Sequence, residues 1–443
     1  MRGWISLLAS GITAVAIAGC GSSTGDDLSS LVASRNLTPI DAAVVVSDGE
    51  FALGQALFFD PELSGNRDIS CATCHHPDFA SGDGISVSIG RGGVGLGTER
   101  ATADGELIPR NAPEIYNRGA SGWTKMFWDG RVSGNRVEGF MTPAGDDLPT
   151  GVDSVLAAQA MFPVTSPAEM RGSLGDTDVF GAPNELAALP EHDLTGVWHA
   201  IVARLTAIPE YVDLFAAAYP DVPVETIGFE HAANAIAAFE VAAFAFDEST
   251  WNRYLRGDDQ LTDPERRGAL LFFGEAGCST CHLGTLLTDQ EHHSIAAPQV
   301  GPGKGDEAPE DWGRGGVTKE AKDRYAFRTP PLHNVALTGP WLHDGAFSSL
   351  EDVIRHHIDP EGSLASYDVG STVGPDIQVL DQPHHLDRLL SSVGPELDAV
   401  PSLTGSQINE LVAFLNALTD PDAADLGHLI PETVPSGLPV GGR

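Results

Sequence analysis

The chain has 443 residues, room for two ordinary domains, with 62 acidic against 25 basic side chains and a formal charge of −37. That balance excludes a general nucleic-acid-binding role, which needs a basic footprint. It fits a soluble extracytoplasmic protein or one that steers a basic partner toward itself, and equally a solubility device or adaptation to salt.

The N-terminus reads as an export signal. Arg2 precedes an apolar run, Trp4 to Ala18, too short and too rich in small residues for a membrane span. The run ends Ile17-Ala18-Gly19-Cys20. A lone cysteine after small residues resembles the bacterial lipoprotein cleavage box, where the cysteine is lipidated and becomes residue one. An ordinary signal peptide cut near Ala18 is the alternative, and either reading exports the chain. Gly21 is not the usual inner-membrane retention residue, so the expectation is a lipid anchor in the cell envelope, facing the periplasm, on the outer membrane. Residues 1–19 are then the leader, and 20–45 a polar tether that gives way to a short helical stretch.

The other four of the five cysteines all fall in two strings, Cys71-Ala72-Thr73-Cys74-His75 and Cys278-Ser279-Thr280-Cys281-His282. None is left for a disulfide. Cys-x-x-Cys-His is the attachment signature of c-type haem. The spacing lets two thiols add to the two vinyl groups on one porphyrin edge, and the histidine becomes the proximal iron ligand. A zinc site or a redox dithiol would use the same cysteine spacing. The immediate histidine in both strings, together with export, favours two haems.

Gly54-Gln-Ala-Leu-Phe-Phe59 precedes the first string and Gly268-Ala-Leu-Leu-Phe-Phe273 the second. This internal repeat predicts two related domains, each with an amphipathic helix ending in an aromatic pair. Helical spacing also covers Thr195 to Ile208, stopped by Pro209, and Val224 to Phe246. Ser349 caps a helix to Ile358 with Glu351 and Asp352 in its first turn. The glycine-rich stretch 82–97 and the acidic stretch 303–316 read as irregular. No alternation is long enough for a large sheet. The expected fold is mostly α: two cytochrome-c-like haem domains, 46–245 and 246–424, with long irregular loops and a C-terminal tail, 425–443.

With these strings in order, the chain resembles the bacterial di-haem cytochrome c peroxidases, including the MauG-type enzymes. The resemblance spans roughly residues 50 to 420. It rests on Leu57-Phe-Phe-Asp-Pro-Glu-Leu-Ser64, Pro109-Arg-Asn-Ala-Pro113, Phe127-Trp-Asp-Gly-Arg131, Ser166-Pro-Ala-Glu-Met170, Phe327-Arg-Thr-Pro-Pro-Leu-His-Asn-Val335, Leu342-His-Asp-Gly345 and the two haem strings. It implies that peroxide binds at the N-terminal, peroxidatic haem. The C-terminal haem passes electrons in from a small cytochrome c or cupredoxin, and Trp128 lies between the two. Core packing is compatible with that role for Trp128.

The resemblance places the catalytic carboxylate at Glu169, which can act as base and then acid on the peroxide oxygens. An insertion that includes Gly145-Asp-Asp-Leu-Pro149 makes Glu138 a rival. Many family members carry a blocking histidine sixteen residues after the proximal one; here that position is Arg91. Guanidinium cannot ligate iron. Arg91 is therefore expected either to donate hydrogen bonds to peroxide over an open iron or to stay on a loop away from it. At the second haem the matching distal position is His357, with His356 as alternate; bis-histidine ligation gives a lower potential than methionine. Calcium between the haems is implied at the Asn111 side chain and the Thr338 and Pro340 carbonyls. The pairs His292-His293 and His384-His385 read as surface residues. The readings carried forward are a peroxidase, a MauG-like oxidase of a partner protein, and a non-enzymatic electron carrier; some family members are dimers.

Overall fold

The computed structural model describes residues 24–103 and 105–441. The leader and Cys20 lie outside the described residues.

Helices dominate, and their ends follow local chemistry. The helices are α1 (Thr24–Ser34), α2 (Asp48–Phe59), α3 (Cys71–Cys74), α4 (Val155–Ala160), α5 (Leu194–Thr206), α6 (Pro209–Ala218), α7 (Phe229–Ala243), α8 (Thr250–Arg256), α9 (Asp263–Phe273), α10 (Arg314–Thr318), α11 (Leu350–Ile358), α12 (Pro360–Ala365), α13 (Pro383–Ser391) and α14 (Gly405–Ala417). A capping box opens α2: Ser47 Oγ accepts the Glu50 amide at 3.1 Å and Glu50 reaches back to the Ser47 amide. Ser349 caps α11 through the Asp352 amide. Pro209 does more than stop α5: it is the first residue of α6, where its missing N–H costs nothing. The expected helix from Val224 is split into a 3₁₀ turn, Val224–Thr226, and α7, with Gly228 in extended conformation between them. The acidic stretch 303–316 is mostly irregular, but α10 begins inside it.

Sheet is minor. Strands β1 (Lys125–Met126), β2 (Val132–Asn135) and β3 (Gly139–Met141) form an antiparallel meander with Lys125 opposite Ser133 and Gly134 opposite Phe140. Strands β4 (His292–His293) and β5 (Phe327–Arg328) pair antiparallel.

The internal repeat is visible in the packing. Gly54 in α2 lies against the Ala235 carbonyl of α7, and Gly268 in α9 lies against the Glu410 carbonyl of α14. A Cβ at either glycine would overlap that carbonyl, so only glycine permits these helix crossings. Phe58 and Phe59 then meet Phe239, and Phe272 and Phe273 meet Phe414, with ring centroids 5.2–6.1 Å apart. Each motif seeds its own core: a larger one around α2, α4, α5 and α7, and a second around α8, α9 and α14.

Two expectations need correction. The segment assigned as a tether is bound at α1: Leu28 is completely buried in the second core, and Arg35 donates to Ser279 Oγ at 2.9 Å. The segment assigned as a tail closes the first core: Val434 and Val440 are buried there, Ser436 Oγ donates to Asp60 at 2.6 Å, and the Gly441 amide donates to the Phe59 carbonyl at 2.7 Å. The apolar spacing of Val434, Leu438 and Val440 is too sparse to announce this. No helix among the described residues is long and apolar enough to cross a membrane.

Candidate active site

Each Cys-x-x-Cys-His string opens onto its own cavity, and the two are of similar size. In the first, α3 presents Cys71 and Cys74, and His75 follows as its C-cap. The His75 ring is half-buried, and Nδ1 lies 3.1 Å from the Ser81 carbonyl. Nδ1 must therefore carry the proton, which leaves Nε2 as a lone-pair donor, the arrangement of a metal-ligating imidazole. Burial lowers the His75 pKa, favouring the neutral, ligating form. His282 repeats the pattern: Nδ1 is 3.2 Å from the Leu287 carbonyl, and burial brings its pKa down to about 4.

The donor set fits c-type haem and not zinc. The two cysteine pairs line different cavities and do not converge on one ion. The cluster of Cys281, Asp289 and His293 has a metal-like spacing, but His293 is already committed to Asp289 at 2.8 Å.

Glu169 lines the first cavity from a π-helical turn, Pro167–Arg171, a local geometry that often marks functional sites. Gln159 lines it from α4. Sequence reasoning missed Gln159, although it is the one polar side chain in the otherwise apolar run Val155–Ala160. Also missed were the buried groups Glu114, Arg118 and Glu240. Arg118 pairs with Glu114 at 2.7 Å and lies over the Trp123 ring at 4.2 Å. Among the described residues Glu240 Oε2 has no hydrogen-bond partner, and burial drives its pKa up to about 8.

Glu138 does not reach the cavity. It is exposed in the turn between β2 and β3, where it accepts from Asn135. Of the two settings expected for Arg91, over the iron or on a loop away from it, its contacts match the second. Its Nε donates to the Pro167 carbonyl at 3.2 Å and its Nη2 to Ser173 Oγ at 2.8 Å. Its guanidinium also pairs with Glu106 at 2.8 Å and Asp176 at 2.9 Å. These partners consume the guanidinium, so Arg91 braces the segment that carries Glu169 and does not touch the cavity, whose wall here is Gly90. His75 is the one histidine among the residues lining this cavity.

The second cavity is different in kind. His282 and His357 both line it, and after burial the charge of His357 is the next cause that lowers the His282 pKa. His357 Nδ1 is 2.8 Å from the Val353 carbonyl one helical turn back, so its Nε2 is the free nitrogen. His356 is completely buried and does not line the cavity. Its Nδ1 meets Ser363 Oγ at 3.0 Å and its Nε2 the Ile295 carbonyl at 2.9 Å, so no lone pair remains for iron. The other histidine pairs are not simply surface residues: His385 is completely buried beside Tyr325, and His292 and His293 form β4, both half-buried. Only His384 is exposed.

Trp128 and Arg328 line both cavities. Trp128 Nε1 donates to the Asn111 carbonyl at 3.0 Å. Phe127 before it has φ 64°, a left-handed conformation that costs a non-glycine residue ~1–2 kcal/mol. Strain of this kind concentrates at functional sites. Asn111 gives its side-chain N–H to the Ile85 carbonyl at 2.8 Å, which leaves Oδ1 as its free ligand atom. Among the described residues the Thr338 and Pro340 carbonyls accept no backbone hydrogen bond. An oxygen-seeking cation fits such groups.

Residues 48–260 match the family model of di-haem cytochrome c peroxidases. The methylamine utilization protein MauG of Methylorubrum extorquens is 34% identical over 69% of this chain and 68% of its own length. The cytochrome c551 peroxidase of Pseudomonas aeruginosa is 30% identical over 70% and 71%. Among solved structures, a MauG-like protein associated with microbial copper homeostasis is 28% identical with a TM-score of 0.60, covering 88% of this chain and 94% of its own. The diheme peroxidase BthA from Burkholderia thailandensis, 21% identical with a TM-score of 0.57 over 90% and 93%, shares the fold. The ordered strings, the paired cavities and these similarities agree: the chain belongs to the di-haem cytochrome c peroxidase family and is an oxidoreductase of that type.

Proposed function

We propose that the protein reduces hydrogen peroxide to water at the cavity of His75, with electrons from a small redox protein entering at the cavity of His282. Each cavity is read as the centre of one cytochrome-c-like haem domain. The observation that carries this reading is the asymmetry of the cavities. The first offers one histidine with Glu169 and Gln159. The second offers His282 together with His357. Haem held by Cys71, Cys74 and His75 and by Cys278, Cys281 and His282 would supply the redox chemistry that passes the partner's electrons to peroxide. The rest is assigned to the chain. Glu169 takes the proton from one peroxide oxygen and returns it to the other. Gln159 orients the bound peroxide by hydrogen bonding. Trp128, in the wall of both cavities, shortens the electron path between them. His357 closes the second site against substrate and makes it a relay. Asn111, with the Thr338 and Pro340 carbonyls, holds one calcium that fixes the Trp128 turn through the Asn111 carbonyl.

The net charge of −37 favours a basic donor, a cytochrome c or a cupredoxin. Export with lipidation at Cys20 puts the enzyme in the cell envelope, on the periplasmic face of the outer membrane. A homodimer belongs to the same reading as a family property. The deciding experiment is Glu169→Gln. Peroxide turnover with reduced cytochrome c is expected to fall on the order of 10²-fold or more with both haem spectra intact. Turnover within threefold of the parent defeats the assignment.

A MauG-like oxidation of a partner protein is the second reading, favoured by the 34% identity to a MauG protein and by the absence of a second histidine in the first cavity. Covalent oxidation of a partner without cytochrome c turnover would select it. A bare electron carrier would show neither activity.

A further inference from the structure

The wall of the first cavity is completed from the other half of the chain. Lys304 lines it, at the start of the acidic stretch that follows the second haem string. Two anchors make this placement rigid. The Lys304 amide donates to the Glu310 carbonyl at 3.0 Å, and the Glu310 carboxylate gathers Trp312 Nε1 at 2.8 Å, Tyr325 OH at 2.6 Å and Arg388. Next to it, Asp311 grips Arg110 Nε at 2.7 Å and Nη2 at 2.9 Å, while Asp129 takes Arg110 Nη1 at 2.6 Å. The loop is thus clamped to the first half through a buried three-residue ion cluster, and its lysine is aimed into the peroxide cavity.

Lys304 Nζ has no ion pair among the described residues. The charges it faces are Arg131 and Arg110, which repel it, and Asp129 and Glu169, which attract it. Burial first, and then the two arginines, bring its pKa down to about 8. A lysine normally stays charged to above pH 10. This one is able to exchange its proton near neutrality. Lys304 and Glu169 share the cavity without ion-pair contact, and Glu169 is one of the two carboxylates whose charge favours the Lys304 ammonium.

We propose that Lys304 acts through Glu169 as its proton relay. The proposal rests on the peroxidase reading with Glu169 as proton carrier. Reduction of one peroxide takes two electrons from the redox partner and two protons, and yields two waters. The proton that Glu169 moves between the peroxide oxygens is already in the substrate, so both consumed protons must enter from outside. In each delivery an N–H bond of the Lys304 ammonium breaks and an O–H bond forms on the Glu169 carboxylate, directly or through water in the cavity. Glu169 hands that proton to the oxygen that O–O cleavage leaves without hydrogen, which takes up two protons and the two electrons and leaves as the second water. The neutral amine of Lys304 recovers a proton from solvent water at the loop surface. Lys304 is a positioning residue here: it never touches peroxide.

The experiment compares full-length di-haem protein with Lys304→Met and Lys304→Arg. One arm is the pH profile of peroxide turnover. The other is sodium fluoride binding to the oxidised protein, read by haem absorption. In the parent, kcat is expected to fall through an alkaline limb near pH 8, where the ammonium is lost. Lys304→Met lowers kcat at pH 7 on the order of tenfold, with little change in KM and no such limb. Lys304→Arg keeps the charge but cannot release a proton. It restores fluoride affinity at pH 7 while kcat stays low. Recovery of kcat in Lys304→Arg overturns the relay and assigns Lys304 a purely electrostatic or anchoring role. A parent-like kcat and alkaline limb in Lys304→Met overturns it as well. If the parent binds no fluoride, the open-iron reading falls while the kcat arm still decides the relay. An active Glu169→Gln removes the underlying reading instead.

Discussion

The Arg328 amide donates to the Trp128 carbonyl at 2.7 Å, and Arg328 Nε donates to the Phe127 carbonyl at 3.1 Å. Strand β5 of the second half thereby pins the strained turn that presents Trp128 to both cavities. The guanidinium is buried and has no carboxylate partner among the described residues; burial, with Arg118 nearby, lowers its pKa to about 9. The residue between the two redox sites is therefore held by a cation, in a place where developing positive charge on the indole is disfavoured.

Trp128→Phe keeps an aromatic ring but loses the Nε1 hydrogen bond to Asn111. Reduction of the first haem through the second is expected to slow by on the order of tenfold or more in single-turnover stopped flow. Haem content and resting spectra should be unchanged. An unaltered rate means that electrons take a path that avoids the indole.

His357→Ala and His356→Ala should separate cleanly. Removing His357 takes away the free Nε2 that faces His282, so the second haem is expected to turn high-spin in resonance Raman. Removing His356 leaves that ligand and costs packing and two hydrogen bonds, about 1–3 kcal/mol of stability, with a low-spin spectrum. A spectrum that changes only in the His356 variant reverses the assignment.

Arg110 is a buried cation between two carboxylates, so Arg110→Met leaves Asp311 with uncompensated charge, while Asp129 keeps Arg131 at 3.1 Å. A loss of about 3–5 kcal/mol is expected in denaturant unfolding. The parent's acid limb has the same origin. Arg110 offsets burial and holds the Asp311 carboxyl down to about 2, against 3.8 when unfolded. A depressed carboxylate contributes fully above the unfolded value and is lost as pH falls from 3.8 toward 2. The acid unfolding midpoint of the variant should show a weaker dependence across that window.

Glu240 has the opposite sign. Burial raises its carboxyl to about 8, so the folded chain holds a proton that the unfolded chain releases above 4.5. Stability from this group is full below 4.5, declines between 4.5 and 8, and is level above. Glu240→Gln is expected to raise stability at pH 7 by on the order of a few kcal/mol and to flatten that slope. Chemical denaturation at pH 5 and pH 8 checks both.

Features set by short-range chemistry were legible from the sequence. The Cys-x-x-Cys-His strings, the Ser349 cap and the paired Gly-to-Phe-Phe segments each act within a few residues. Glu169 was reached through family resemblance, and Gln159 had a readable signal in its apolar helix. Arg91 shows the limit. Its position in the chain was right for the cavity, but its side chain is directed by Asp176 and Ser173, more than eighty residues away, which no local pattern encodes. Lys304 and the buried His385 fail for the same reason: each owes its setting to packing between distant segments.

The straps at the two ends cross. Helix α1 lies on the second core, while residues 434–441 seal the first. The first haem string precedes residues 434–441 by more than 350 positions, yet the core around it is not closed until they are in place. Neither half can therefore be cut out as a finished unit. The first half alone lacks its closing segment, and the second half alone lacks the helix that packs on α9. Closure of the first cavity's core thus waits on residues 434–441, so a product truncated before them carries an unsealed core.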